Sequence, residues 1–238
     1  MRINSKIKNI IFDLDNTLYP HTALKKIVSA DIEEILLNEK IDTNAFWNNY
    51  RMVELELFHF FLKNEINGES YMFERYYRTL CCMNNHEAHC IAEKIRDVYL
   101  RDTLSIKDEW NSKEILSRLF ESGYNLYLLT NGPVRSQINK IKALRVYDFF
   151  RKIYVSDDTK LSKPDFNAFN NIVLNEKLTI ANTVYVGDSL KYDIEPALNI
   201  GFKTVFLDTE NGADFKDESV IRINELSQLL SVLNDFRI

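Results

Sequence analysis

The chain has 238 residues, enough for one well-buried core and a smaller second unit but too few for several independent domains. Hydrophobic residues at 45%, charged residues at 27%, 6 Gly and 4 Pro exclude disordered and fibrous classes. A formal charge of -5 argues against nucleic acid and anionic membrane, which call for a basic face, and leaves a small molecule as the expected partner.

Residues 1–9 carry basic side chains but run into a short strand instead of an apolar stretch with a small-residue cleavage site, so no signal peptide is expected. That strand, 9–12, ends in Asp13-Leu14-Asp15-Asn16-Thr17. The next stretch, 20–104, shows helical periodicity and no convincing strand. Leu24, Ile27, Val28, Ile32, Ile35 and Leu36 recur at helix spacing, as do Phe46, Tyr50, Val53, Leu57 and Phe61. Aromatic residues such as Trp47, Tyr71 and Tyr76 read mainly as the small core of this helical unit. Its most apolar run, 55–62, is interrupted by Glu56 and His59 and falls short of the roughly 20 apolar residues that a membrane helix requires.

Cys81, Cys82 and Cys90 are an odd number bunched in one segment, a poor basis for a disulfide framework, and a reducing cytoplasm is the simpler reading. With His86 and His89 they supply zinc-binding atom types, but the spacing does not match the usual paired ligands and no fourth ligand is evident. Buried thiols beside surface imidazoles are expected instead.

After Leu104, helix and strand alternate. Helices are predicted over 112–121, 134–144, 165–175 and 190–199, and strands over 125–129, 152–155, 183–186 and 203–207, with a short strand near 220–223 and a last helix from Glu225. The strands are nearly continuous in Ile, Val, Leu, Tyr and Phe, as strands covered on both faces should be. The expected fold is α/β: a Rossmann-like parallel sheet core, 1–19 and 105–238, with an inserted all-helical cap, 20–104. Such a cap would close over the carboxyl edge of the sheet, where ligands bind in open α/β folds.

Four groups of polar residues fall at that edge. Asp13 and Asp15 can hold a divalent cation and divide labour between nucleophile and acid/base, although a surface turn rich in Asp and Asn would read the same way. Thr130-Asn131-Gly132-Pro133 puts a hydroxyl and an amide ahead of a helix N-terminus suited to an anion, or forms a capping turn. Ser162-Lys163-Pro164-Asp165 offers a lysine just before a helix whose first position would be Pro164; most lysines are only solvated surface. Gly187-Asp188-Ser189, with Asp193 five residues after Asp188, could be another N-cap. Each group alone has a structural explanation, yet all follow predicted strands in a consistent order.

Together they resemble the four motifs of the haloacid dehalogenase superfamily, over residues 9–208 outside the detailed cap sequence, in its helical-cap branch. The resemblance implies a phosphatase in which Asp13 attacks phosphorus to form an aspartyl-phosphate and Asp15 serves as acid and then base. It also implies phosphoryl binding by Thr130, the Asn131 N–H and Lys163, and Mg²⁺ held by Asp13, the Asp15 carbonyl and Asp188. Asp193, Gly132 and Ser189 would support them, with Asp193 orienting Lys163 or a metal-bound water. Residues 12–20 and Thr130-Asn131-Gly132 look similar to the pyrimidine 5′-nucleotidase-like branch, which makes a nucleoside 5′-monophosphate a candidate among small phosphate esters, and Asn16, Leu18, Tyr19 and Pro20 form a flap expected to share in substrate choice.

Asp15 favours ester hydrolysis over halide displacement, which needs no proton donor. A phosphomutase would use the same two aspartates. A phosphorelay receiver would carry its phosphorylated Asp at a later strand, and a Gly-rich turn for nicotinamide binding is missing after the first strand. Either a monomer or a homodimer is compatible with the chain.

Overall fold

The computed structural model describes residues 7–210, 212 and 217–235, so part of the segment read for a signal peptide lies outside the described residues. Contacts divide the chain into two compact units. One comprises the chain up to Pro20, Lys107–Asn131 and everything from Leu144; the other comprises His21–Ile106 and Gly132–Ala143.

The first unit is built on a six-stranded, wholly parallel sheet, β1 Asn9–Phe12, β2 Asn125–Thr130, β3 Phe150–Val155, β4 Thr183–Gly187, β5 Lys203–Leu207 and β6 Val220–Ile223, in the order β3-β2-β1-β4-β5-β6. All four residues of β1 are buried, because the central strand has a neighbour on each side and helices on each face. At its start a polar ladder sets the register: Asn125 Nδ2 donates to Asn9 Oδ1 at 2.9 Å, and Asn9 Nδ2 donates to Thr183 Oγ1 at 3.4 Å. β1 leads on to β2 on one side and β4 leads on to β5 on the other, so the order reverses between β1 and β4, the point past whose carboxyl ends open α/β sheets form their crevice.

Ile11, Tyr127, Leu129, Phe169, Ile172, Tyr185 and Phe202 form one core layer of this unit. In the second unit, α1 His21–Asn38, α2 Thr43–Leu62, α3 Gly68–Cys82 and α4 Ala88–Asp102 fill the predicted helical insertion. Asp42 and Asn67 cap α2 and α3 by accepting from Ala45 N and Ser70 N. The buried stripe of α1, Leu24, Val28, Ile32 and Leu36, keeps a spacing of four, while Ile27 and Ile35 flank it half-buried. Leu57 and Phe61 of α2 pack with Tyr71 of α3, each such side chain stabilising the unit by about 2 kcal/mol. None of the described helices is long and apolar enough to cross a membrane.

Of the later helices, α5 Ser112–Glu121, α7 Ser156–Thr159, α8 Phe166–Asn175, α9 Glu195–Ile200 and α10 Leu229–Asp235 belong to the sheet unit, whereas α6 Val134–Ala143 is grouped with the insertion. There the Tyr99 and Ser136 hydroxyls lie 2.9 Å apart, and Asn139 Nδ2 donates to Leu100 O and Thr103 Oγ1, each at 3.1 Å.

Two local expectations are corrected. Pro164 is not the first residue of α8. It precedes the N-cap Asp165, whose side chain accepts from Asn167 N, and the Lys163–Pro164 peptide is cis. Nor are the cysteines buried: Cys81, Cys82 and Cys90 are all exposed and free, because α3 turns Tyr76, Thr79 and Leu80 inward and α4 turns in Ile91, Ala92 and Ile95. Among the described residues no cluster of metal-ligand type forms there.

Candidate active site

Each candidate side chain is fixed by the end of a strand. Asp13 leaves β1 with its N–H donating to Val186 O of β4 at 2.9 Å. The chain then turns sharply: Leu18 N donates to Leu14 O at 2.9 Å, and Asn16 takes the left-handed conformation, φ 59°, which Asn tolerates better than most residues. Tyr19 returns to bridge Asp15, and its hydroxyl donates to the Asp15 carboxylate. The Ser112 hydroxyl donates to Leu18 O, securing the turn from α5. Leu18 and Tyr19, expected in a substrate flap, are fully buried, leaving Asn16 and Pro20 as its partly exposed members.

Lys163 is the centre of the cluster. Its Nζ donates to Asp13 Oδ1 at 2.5 Å, to Asp193 Oδ1 at 2.6 Å and to the Tyr185 hydroxyl at 3.2 Å, so every N–H of the buried ammonium has an acceptor. The Asn131 side chain grips the backbone of this residue, accepting from Lys163 N at 2.9 Å and donating to Lys163 O at 2.8 Å. Asn131, read from sequence for its backbone N–H, therefore also positions the lysine across 32 residues.

Asp193 receives Tyr185 OH at 2.8 Å on Oδ1 and Ser189 N at 3.1 Å on Oδ2. It is brought back toward β4 by a π-helical turn, Leu190–Ile194, whose N-cap Ser189 accepts from Tyr192 N. Only glycine fits at 187: a Cβ there would stand 2.6 Å from Asp193 Cβ. Gly132 sits at φ +144°, where a Cβ would lie 2.9 Å from Gln137 Cδ. Thr130 is buried at the end of β2.

Burial pushes the Asp13 carboxyl well above its ordinary range, with the Lys163 ammonium pulling against it. For Lys163, burial alone would favour the neutral amine, but Asp13 and Asp193 reverse this and hold it protonated. Asp188, half-buried beside Asp193, is pushed up to about 7 by its partial withdrawal from water and by that neighbouring carboxylate. Oxygens of Asp13, Asp188 and Asp193 lie within 4.8 Å of one another. Both oxygens of Asp193 are engaged, and among the described residues Asp13 Oδ2 is approached only by Thr17 Oγ1 at 3.3 Å, which leaves Asp13 and Asp188 as the better placed cation ligands. Hard carboxylate donors, outnumbering the single ammonium, suit a divalent cation such as Mg²⁺.

The structure thus gathers Asp13, Asn131, Lys163, Asp188, Ser189 and Asp193 around one centre, with Asp15 two residues from Asp13. Sequence reading missed Tyr185, Thr17 and the Tyr19–Asp15 contact. Tyr185 lies inside an apolar strand and reads as core; only its hydroxyl, facing a later Asp, signals a role.

Residues 10–207 match the haloacid dehalogenase-like hydrolase family, and the chain belongs to it. A glyceraldehyde 3-phosphate phosphatase of Pyrococcus furiosus is 29% identical over 96% of this chain and 93% of its own. The ribulose-1,5-bisphosphate 5-phosphatase of Halopiger xanaduensis is 26% identical over 93% and 98%, and the pyrimidine 5′-nucleotidase PynA of Streptococcus pneumoniae 24% over 84% and 83%. Among solved structures, the putative HAD-hydrolase YfnB of Bacillus subtilis, bound to magnesium, superimposes with a TM-score of 0.74 at 20% identity, covering 97% of this chain and all of its own.

Proposed function

We propose that the chain is a Mg²⁺-dependent phosphomonoesterase that acts on a small phosphorylated metabolite through an aspartyl-phosphate on Asp13. The observation that carries this reading is the buried Lys163 ammonium, held between Asp13 and Asp193 next to Asp188 at the ends of the central strands. Asp13 attacks phosphorus, and the bond to the ester oxygen breaks as Asp15 gives that oxygen a proton. The Tyr19 hydroxyl keeps Asp15 oriented. Asp15, now a base, takes a proton from the water that attacks the phosphoryl group, which releases phosphate and restores Asp13. Thr130, the Asn131 N–H and Lys163 bind the phosphoryl oxygens as charge develops. Mg²⁺ held by Asp13, the Asp15 carbonyl and Asp188 would supply further positive charge against those oxygens.

Named relatives act on a triose phosphate, a pentose bisphosphate and pyrimidine nucleotides, which supports a small phosphorylated metabolite and keeps a nucleoside 5′-monophosphate among the candidates. Three free, exposed thiols support a reducing, cytoplasmic setting. The test is hydrolysis of an aryl phosphate with Mg²⁺ or chelator, followed by a panel of triose, pentose and nucleoside phosphates. Metal-dependent release that falls by at least ~10³-fold in Asp13→Asn is expected. Full turnover in that variant would remove Asp13 from the nucleophile's role.

A further inference from the structure

A second buried cation lies in the helical unit, and its charge is not balanced. Arg75, on α3, is only 6% exposed, and no salt bridge to it forms among the described residues. Its guanidinium carbon stands 4.3 Å from the Tyr99 ring centroid, 4.7 Å from that of Tyr76 and 5.2 Å from that of Tyr71. Those rings cover the guanidinium with π faces and bring no formal charge. Burial pushes the Tyr71 and Tyr76 hydroxyls well above their ordinary range, so neither becomes a counter-anion at working pH. The neighbouring carboxylate, Glu54, is engaged by the Tyr71 hydroxyl at 2.7 Å.

Nε and Nη2 of Arg75 are buried without any hydrogen-bond partner. These two nitrogens form one edge of the guanidinium, where parallel N–H groups are spaced to meet two oxygens of one carboxylate or phosphate. A buried guanidinium with that fork unfilled is costly unless something supplies the oxygens. Aromatic faces above and a buried, unpartnered edge beside them present the chemistry that an oxyanion would satisfy.

We propose that Arg75 anchors an oxyanion-binding site in the helical unit, taking a carboxylate or phosphate group side-on through Nε and Nη2. Two sources can provide that group: an acidic group carried by an organic phosphate ester, or a separate inorganic anion.

The experiment uses the full chain and the variants Arg75→Met and Arg75→Lys, with urea unfolding to establish that each is folded. With Mg²⁺, glycerol 3-phosphate is compared with 3-phosphoglycerate, which adds one carboxylate. If the substrate is the source, Arg75→Met raises KM for the carboxylate ester by about tenfold or more and leaves the other within about twofold. Arg75→Lys, which keeps the charge but not the fork, recovers only part of this. If a free anion is the source, sulfate alters kcat/KM for glycerol 3-phosphate in the parent and loses that effect in Arg75→Met, while both esters respond alike. Calorimetric titration of sulfate in chelator needs no turnover, so it decides the matter even if the phosphatase reading fails: a sulfate site present in the parent and lost in Arg75→Met supports the proposal. Should Arg75→Met fail to fold, the same losses are read on Arg75→Lys. Identical isotherms and unchanged ester selectivity in the folded variants would overturn it.

Discussion

Lys163 and Arg75 are both cations withdrawn from water, at 3% and 6% exposure, yet the two units treat them differently. Around Lys163 the chain supplies every acceptor: the Asp13 carboxylate from the end of β1, the Tyr185 phenol from β4 and the Asp193 carboxylate from the turn after it, with Asn131 clamping its backbone. Around Arg75 it supplies rings and leaves two guanidinium nitrogens without an acceptor. A closed network makes a site rigid before any ligand arrives, whereas an open one stays unfavourable until a ligand completes it. The sheet unit therefore carries what is common to the reaction, and the helical unit carries a demand that only a particular molecule meets.

Removing the cations in turn is the strongest way to break this comparison. Lys163→Met leaves Asp13 and Asp193 facing each other without a counter-charge, and should cost about 3–5 kcal/mol of unfolding free energy in urea titrations. A stability equal to the parent's would show that the network is not closed by Lys163. Next in size, Gly187→Ala forces the Asp193 side chain away from β4; a loss of about 1–3 kcal/mol is expected, with kcat reduced about 10²-fold. Unchanged kcat would mean that Asp193 does not need its position. Tyr185→Phe deletes one hydroxyl from the same network and should lower stability by about 1 kcal/mol, read from the shift of the melting temperature. Smallest of all, Arg75→Met in anion-free buffer should change unfolding free energy by less than about 1 kcal/mol, since it exchanges an unpaired buried charge for an apolar chain. A penalty matching that of Lys163→Met would erase the difference between the units.

Much of this was legible in the sequence. The strands stand out because both of their faces are buried, so the runs before Asp13, Thr130 and Asp188 are unbroken apolar words ending in polar ones. Helical spacing identified the insertion for the same reason: Leu24, Val28, Ile32 and Leu36 face one way. What could not be read depends on direction. That Asp193 orients Lys163 followed from the resemblance and from no local pattern, since a π-turn redirects it, and the hold of Asn131 on the lysine backbone 32 residues away leaves no local mark. Arg75 sits among Glu74, Tyr76, Tyr77 and Arg78, where any charged residue reads as surface, and only the packing of three helices turns it inward. The cysteines misled in the opposite sense, since a small apolar side chain at the end of a helix is free to stay outside.

The central strand also has a history along the chain. Asp13, which directly follows it, is joined to Lys163 across 150 residues, and its first residue to Thr183 across 174. Made first, β1 must wait for partners made late, while α1 to α4 find their neighbours within the stretch that follows. During synthesis the local helical contacts close early and cheaply in entropy, and the long-range strand pairing closes late. A nascent chain that stops short of β4 therefore holds Asp13 on a strand with an open edge, so hydrolytic competence arrives in the last third of translation rather than growing with length.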